Sequence, residues 1–150
     1  MKKFRFSLRP VSVVRAHRES CAREVFAASV RVYVRAEEDL AGVRKRVAEF
    51  GATIFASRRE RFEASEHAIC LAGYRRECAA EIPAEAAVIA ARSEMEKRRV
   101  EYLDAHRKME AMTKLEEKGR AAHRRAANRE EQAEFDDRRY VVSRSALTGT

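Results

Sequence analysis

EMEKRRVEYLDAHRKMEAMTKLEEKGRAAHRRAANREEQAEFDD, from Glu94 to Asp137, decides the fold. The stretch has no Pro and one Gly, Gly119, and is dense in Ala, Glu, Lys, Arg, Gln and Met. Those residues fix a helical backbone at little entropic cost. Acid-before-base pairs recur four residues apart, at Glu94–Arg98, Asp104–Lys108, Glu110–Lys114, Glu116–Arg120 and Glu134–Arg138. Each adds about 0.3 kcal/mol to an exposed helix. A helix of this length spans roughly 65 Å at 1.5 Å per residue. Propensity alone rarely holds such a helix, so it needs a packing partner. The rest of the chain reads as that partner.

The chain has 150 residues, enough for one domain. Charged residues reach 37% and Trp is absent, a composition closer to a coiled coil than to a globular core. Apolar residues, many of them Ala, still make up 45%, so disorder is not indicated. Net charge is +8 and uneven: residues 1–75 carry 16 Lys/Arg against 9 Asp/Glu, and residues 76–150 carry 16 against 15. A basic first half suits an acidic protein surface, anionic lipid or nucleic acid. Cys21, Cys70 and Cys78 lack zinc-site spacing and read as small, buried, reduced residues. The basic start has no apolar run behind it, and no stretch is apolar enough to span a membrane, so the expected compartment is the cytoplasm.

Residues 1–9 are a basic, aromatic lead-in, and Pro10 suits the first turn of a helix. Helical spacing runs from there to about Ser57. Val11, Val14, Cys21, Val25, Ala28 and Val32 follow the 3–4 alternation of a seam, with Arg18 filling one slot. A second set is Ala36, Leu40, Val43, Val47, Phe50 and Ile54. Joining the two sets slips the register by one residue, which predicts a local discontinuity. After Pro83, Val88, Met95, Tyr102 and Met109 repeat every seven, with Ala91, Arg98, Ala105 and Met112 between them. From Leu115 onward the apolar face thins to Ala122, Ala126, Ala133 and Phe135.

Two facing seams and one short connection predict an all-α fold, a single antiparallel coiled-coil hairpin over residues 1–150. Its turn lies either at Ser57–Ser65, where Ser65 would cap the second helix, or at Gly73–Pro83. Local chemistry leaves both open: Pro83 argues for the later turn, while Ile69, Tyr74, Cys78 and Ile82 hold an apolar stripe through it. The tail 141–150 lacks periodicity and is expected to fray.

No glycine-rich phosphate loop, HExxH or CxxC occurs, and His17, His67, His106 and His123 are scattered. A two-helix hairpin offers no enclosed pocket for catalysis. The expectation is a protein that is no enzyme and has no catalytic residues, metal or cofactor. A nearly neutral second half with few stacking aromatics also argues against nucleic acid; a basic structural or nucleic-acid-binding coiled coil is the alternative reading.

The opening KKFRFSLRPVSVVRAHRE resembles the start of flagellar export proteins of the FliJ family. MTKLEEKGRAAHRRAANREEQAEFDD resembles that family's C-terminal stretch, where a segment of the Leu-Glu-Lys type leads to Glu-Gln-x-Glu-Leu-Asp-Glu. Here that ending is Glu131-Gln132-Ala133-Glu134-Phe135-Asp136-Asp137. Gly73 and Pro83 depart from the family pattern. The resemblance implies a central stalk of the flagellar type III export machine, cytoplasmic and peripheral to the membrane through its partners. It implies that both chain ends enter a hexameric export ATPase, promote its ring assembly and link it to the membrane export gate, with export chaperones as a further class of partner. It also implies a second helix that starts well before mid-chain, which favours the Ser57–Ser65 turn and a helix over about 65–140 kinked at Pro83.

The candidate residues for the ATPase contact, by their charge and their clustering near one end of the hairpin, are Arg5, Arg9, Arg15 and Arg18 on the first helix and its lead-in. Arg129, Glu131, Gln132, Phe135, Asp136 and Arg138 join them from the second. The hairpin is expected to set the two groups side by side. Tyr74, Cys78 and Ile82 are the candidates for the gate contact.

Overall fold

A computed structural model of the chain describes residues 3–58 and 63–147, with side chains described as far as Arg139. Two helices, α1 (Arg9–Ser57) and α2 (Ala64–Leu147), pack against each other as a hairpin, and no strand occurs among the described residues. Of the connection, residues 59–62 lie outside the described ones. The His67 amide donates to the Glu63 carbonyl at 3.2 Å, which makes Glu63 the residue that opens α2; Ser65 lies inside the first turn. Gly73–Pro83 is helical throughout, with Pro83 inside α2. α2 also carries on past residue 141, where the sequence predicts a frayed tail, to Leu147.

The chain divides into two compact units: Ser20–Asp104, and a second made of residues up to Glu19 with those from Ala105 onward. In Ser20–Asp104 the helices run antiparallel. Phe26 stacks on Tyr102 with ring centroids 5.9 Å apart, Arg44 reaches Glu81, Arg46 reaches Glu77, and Phe50 sits against Gly73. Each step up α1 is a step down α2.

The expected α2 seam is present here. Val88, Ala91, Met95, Arg98 and Tyr102 are half-buried, and the same 3–4 spacing leads back through Ala84, Glu81, Glu77 and Tyr74 without a change of register at Pro83. Pro83 itself is exposed, so the Ala79 carbonyl that it cannot bond is left to water rather than to a core. On α1, Ala36, Leu40, Val43, Val47, Phe50 and Ile54 face inward as predicted, with Val43 down to 7% exposure.

The first α1 set is a correction. Cys21, Val25, Ala28 and Val32 are exposed, Val25 by 45% and Val32 by 61%. The residues that pack are their neighbours one step on: Ala22, Phe26, Ser29 and Tyr33, which are half-buried. From Tyr33 the spacing passes through Ala36 to Leu40 in steps of three and four, so the expected register slip is absent. The valines are the larger aliphatic signal, but two aromatic rings bury more apolar area per layer than two valines. The small Ala22 and Ser29 alternate with the rings along this row. The burial expected of the cysteines is also absent: Cys21 is exposed and Cys70 and Cys78 are half-buried.

In the second unit the seam residues on α2 are Ala105, Met109 and Met112, the last 3% exposed. The line continues through Glu116, Gly119 and His123 rather than Leu115 and Ala122, which are exposed. Val11 and Val14 are exposed as well, while Ser12, Arg15, Ala16 and Glu19 are half-buried.

Two expectations follow. Val43→Asp buries a charge in the seam and is expected to cost several kcal/mol. Val25→Asp is expected to change stability by no more than about 0.5 kcal/mol; melts followed by circular dichroism compare them. Gly73→Ala brings a methyl to 2.9 Å from the Phe50 ring and is expected to destabilise. Gly42→Ala meets only the flexible Arg46 guanidinium, at 3.5 Å, and is expected to gain up to about 1 kcal/mol of helix propensity.

Candidate partner-binding surfaces

The basic lead-in folds onto α2. Leu8 and Phe6 carbonyls accept from the Ser12 and Arg9 amides at 2.9 and 3.2 Å, turning the chain into α1. Ahead of that turn, Phe4 lies over Gly119 so closely that a Cβ there would be 3.2 Å from its ring. The Arg120 guanidinium stands 5.8 Å from the Phe4 centroid, and the His123 ring meets it edge-on at 5.7 Å. A cation against one side and a ring edge against another are both attractive to an aromatic quadrupole. Phe4 is half-buried as a result. The lead-in thus acts as a clasp, and it borders a shallow pocket of about 600 Å³ lined by Phe6, Arg5, Arg9, Glu116 and Arg120.

This geometry separates the two groups of expected ATPase-contact residues. Arg5 and Arg9 border the Glu116–Arg120 turn of α2, where Arg120 holds Glu116 at 2.6 Å. Arg15 donates to the Lys108 carbonyl at 3.2 Å, and Glu19 meets His106 at 2.7 Å. Arg18 is exposed. By this antiparallel register the first group lies level with residues 106–123, not beside residues 129–138 as expected. Within this unit Arg15 and Glu19 meet Lys108 and His106, and α2 has 84 residues to the 49 of α1.

Arg129, Glu131, Gln132, Phe135, Asp136 and Arg138 sit on a stretch of α2 where every residue from Asn128 to Arg139 is exposed, Phe135 by 63%. The charge on this end is in blocks. Lys118, Arg120, Arg124, Arg125 and Arg129 run with no acid among them; Glu130, Glu131, Glu134, Asp136 and Asp137 follow with no base. An exposed helix would be better stabilised by mixing the signs at i,i+4. Segregated blocks suit a surface with its own segregated charge.

The gate candidates divide likewise. Tyr74 and Cys78 are half-buried, and a Cβ added at Gly51 of α1 would meet the Tyr74 ring at 3.9 Å. The hydrogen bond with Cys78, with the charge of the ionised thiol behind it, raises the Tyr74 hydroxyl above the usual tyrosine range. Ile82, by contrast, is 73% exposed. The Gly119 clasp was not anticipated; its sequence signal is a lone glycine at a seam position amid helix formers. Arg44, which grips both Glu81 and Glu85, was missed because its partners lie on another helix. No helix among the described residues is long and apolar enough to cross a membrane, and none of the described His, Cys, Asp and Glu residues cluster as a metal site.

A sequence model of the flagellar FliJ protein family matches residues 4–145. Among solved structures, a YscO homolog of Chlamydia trachomatis is similar, with a TM-score of 0.65 over 99% of this chain and all of that one. The two share 15% identity, so the likeness is one of fold. A search by sequence among curated proteins returns no match.

Cys78→Ala is expected to bring the Tyr74 titration down toward the ordinary tyrosine range. Absorbance of the tyrosinate across alkaline pH reads this, with the other tyrosines as internal reference.

Proposed function

The chain belongs to the flagellar FliJ protein family, and on that basis we propose that it is a non-enzymatic stalk of the flagellar type III export apparatus. It binds the hexameric export ATPase, favours assembly of its ring and connects it to the export gate. The observation that carries the ATPase contact is the bare end of α2, Asn128–Arg139, exposed on every described residue and charged in blocks. A ring of six subunits presents one surface repeatedly, and long charged side chains adapt to small differences among its copies at low energetic cost. The acidic block Glu130–Asp137 directly after the basic one makes a phosphate backbone a poor partner.

In this reading Arg129, Glu131, Gln132, Phe135, Asp136 and Arg138 form the main ATPase contact. Arg5, Arg9 and Arg18 add a separate basic surface, while Arg15 serves the hairpin. The gate contact centres on Ile82, and Tyr74 and Cys78 support it from the seam side. Location at the inner face of the membrane follows from these partners, export chaperones among them.

A ligand that binds only the assembled hexamer shifts assembly by mass action. ATPase turnover is expected to rise most at low ATPase concentration and to converge with the unstimulated rate per subunit once the ring is saturated. Removing residues 126–150 is expected to abolish stimulation while circular dichroism shows the remaining hairpin folded. Salt is expected to weaken it, since exposed charges are screened. Full stimulation by the truncated chain would overturn the assignment of this end.

A further inference from the structure

Between Ala79 and Ala91, α2 carries two charged residues, Glu81 and Glu85, in a chain that is 37% charged. Both are drawn to one guanidinium on α1: Arg44 holds Glu81 at 2.7 Å and Glu85 at 2.5 Å. The rest of this stretch away from the seam is Ala79, Ile82, Pro83, Ala86, Ala87, Ile89 and Ala90, all exposed. Ile82 stands at 73% and Ile89 at 69%. Ala79, Ile82, Ala86 and Ile89 are spaced by three and four, as a coiled-coil seam requires. They follow the packed positions Glu77, Glu81, Ala84 and Val88 by one or two residues, so at about 100° per residue they point away from α1.

Small and large residues alternate along this row. Turned end for end, the row fits itself: Ile82 lies against Ala86 of a second copy, and Ile89 against its Ala79. Two-fold symmetry repeats both contacts, which makes four Ile–Ala layers. Ala90 and Pro83, beside the row, are small enough to let the backbones approach. Arg75, the next residue on the row, comes level with Ser93 of the second copy, beside Glu94, whose carboxylate Arg98 of its own helix holds at 2.7 Å. We propose that this face is a two-fold, antiparallel self-association surface, α2 against α2, and that its occupant is a second copy of this chain. The fit of the row to its own reverse favours a second copy over an unrelated helix, which would have to match the alternation by coincidence. A contact of about five helical turns buries on the order of 1,000 Å², the low end of specific interfaces. The dimer is therefore weak, with dissociation expected at roughly 10–100 μM. Because it covers Ile82, a paired copy withholds the surface that the stalk reading offers to the gate.

Sedimentation of the full chain alone tests this, so its failure would leave the stalk reading untouched. The weight-average mass is expected to rise from the monomer's 17.2 kDa toward twice that value over the stated range. Ile82→Arg with Ile89→Arg is expected to hold it at the monomer with helicity unchanged; both side chains are exposed, so the hairpin does not need them. Antiparallel pairing is checked in chains whose Cys21, Cys70 and Cys78 are replaced by Ser. Ile82→Cys mixed with Ala86→Cys is expected to give a crossed disulfide several-fold faster than either variant gives with itself. A monomer at every concentration, an equal rise in the double Arg variant, or faster like-with-like crosslinking would each overturn the proposal. Retention of the face by a different protein's helix, with no self-association, would do so as well.

Discussion

Each layer of a two-helix seam is closed by side chains from two helices. Apart from the Phe4 clasp at Gly119, no further described element covers what they leave open, so residues stay part-exposed even where they pack best. Val43 and Met112 are the apolar side chains that fall below a tenth exposed among the described residues. Everything else follows from that shortage. Stability must be gathered from many half-buried layers, from helix propensity, and from pairs such as Glu94–Arg98 and Glu110–Lys114 within a helix. These pairs are exposed and individually weak, which is why α2 needs so many of them and so few helix breakers.

A thin seam also makes the identity of each inward residue matter more than its hydrophobicity. Arg98 and Glu81 occupy seam positions and still fit, because their alkyl stems cover the neighbouring layer while their charged heads reach Glu94, Glu101 or Arg44 at the edge. Arg44, Glu81 and Glu85 go further. They gather charge at the flank of the hairpin and leave the back of α2 bare of it, so one structural contact creates an apolar face elsewhere on the same helix.

Periodicity made the α2 seam legible from Val88 to Met112, because large residues there recur every seven with no competing stripe. It misled on α1 between Cys21 and Val32. Two parallel stripes exist there one residue apart, and the aliphatic one is the exposed one; only the rings of Tyr102 and its neighbours across the interface decide between them. The charged ends were legible as charge but not as neighbours. Their relative placement depends on the unequal lengths of α1 and α2, and thus on where the connection falls, which local chemistry left open between two sites. The family resemblance rests on those same two ends, whose residues are recognisable in sequence although their placement beside one another is not.

Each unit contains an aromatic ring crowded against a glycine of α2: Phe4 of the lead-in on Gly119, and Phe50 of α1 on Gly73. Neither glycine has a positive φ, so neither is required by its own backbone. Each is required by a residue far away in sequence. Positions 4 and 119, and positions 50 and 73, are therefore bound to change together: a chain with a smaller residue at 50 is free to carry alanine at 73, and a chain without the Phe4 clasp has no reason to keep helix-weakening glycine at 119. Across divergent chains of this fold, such ring-and-glycine couples would mark helix register at the positions where charged, low-complexity sequence aligns poorly.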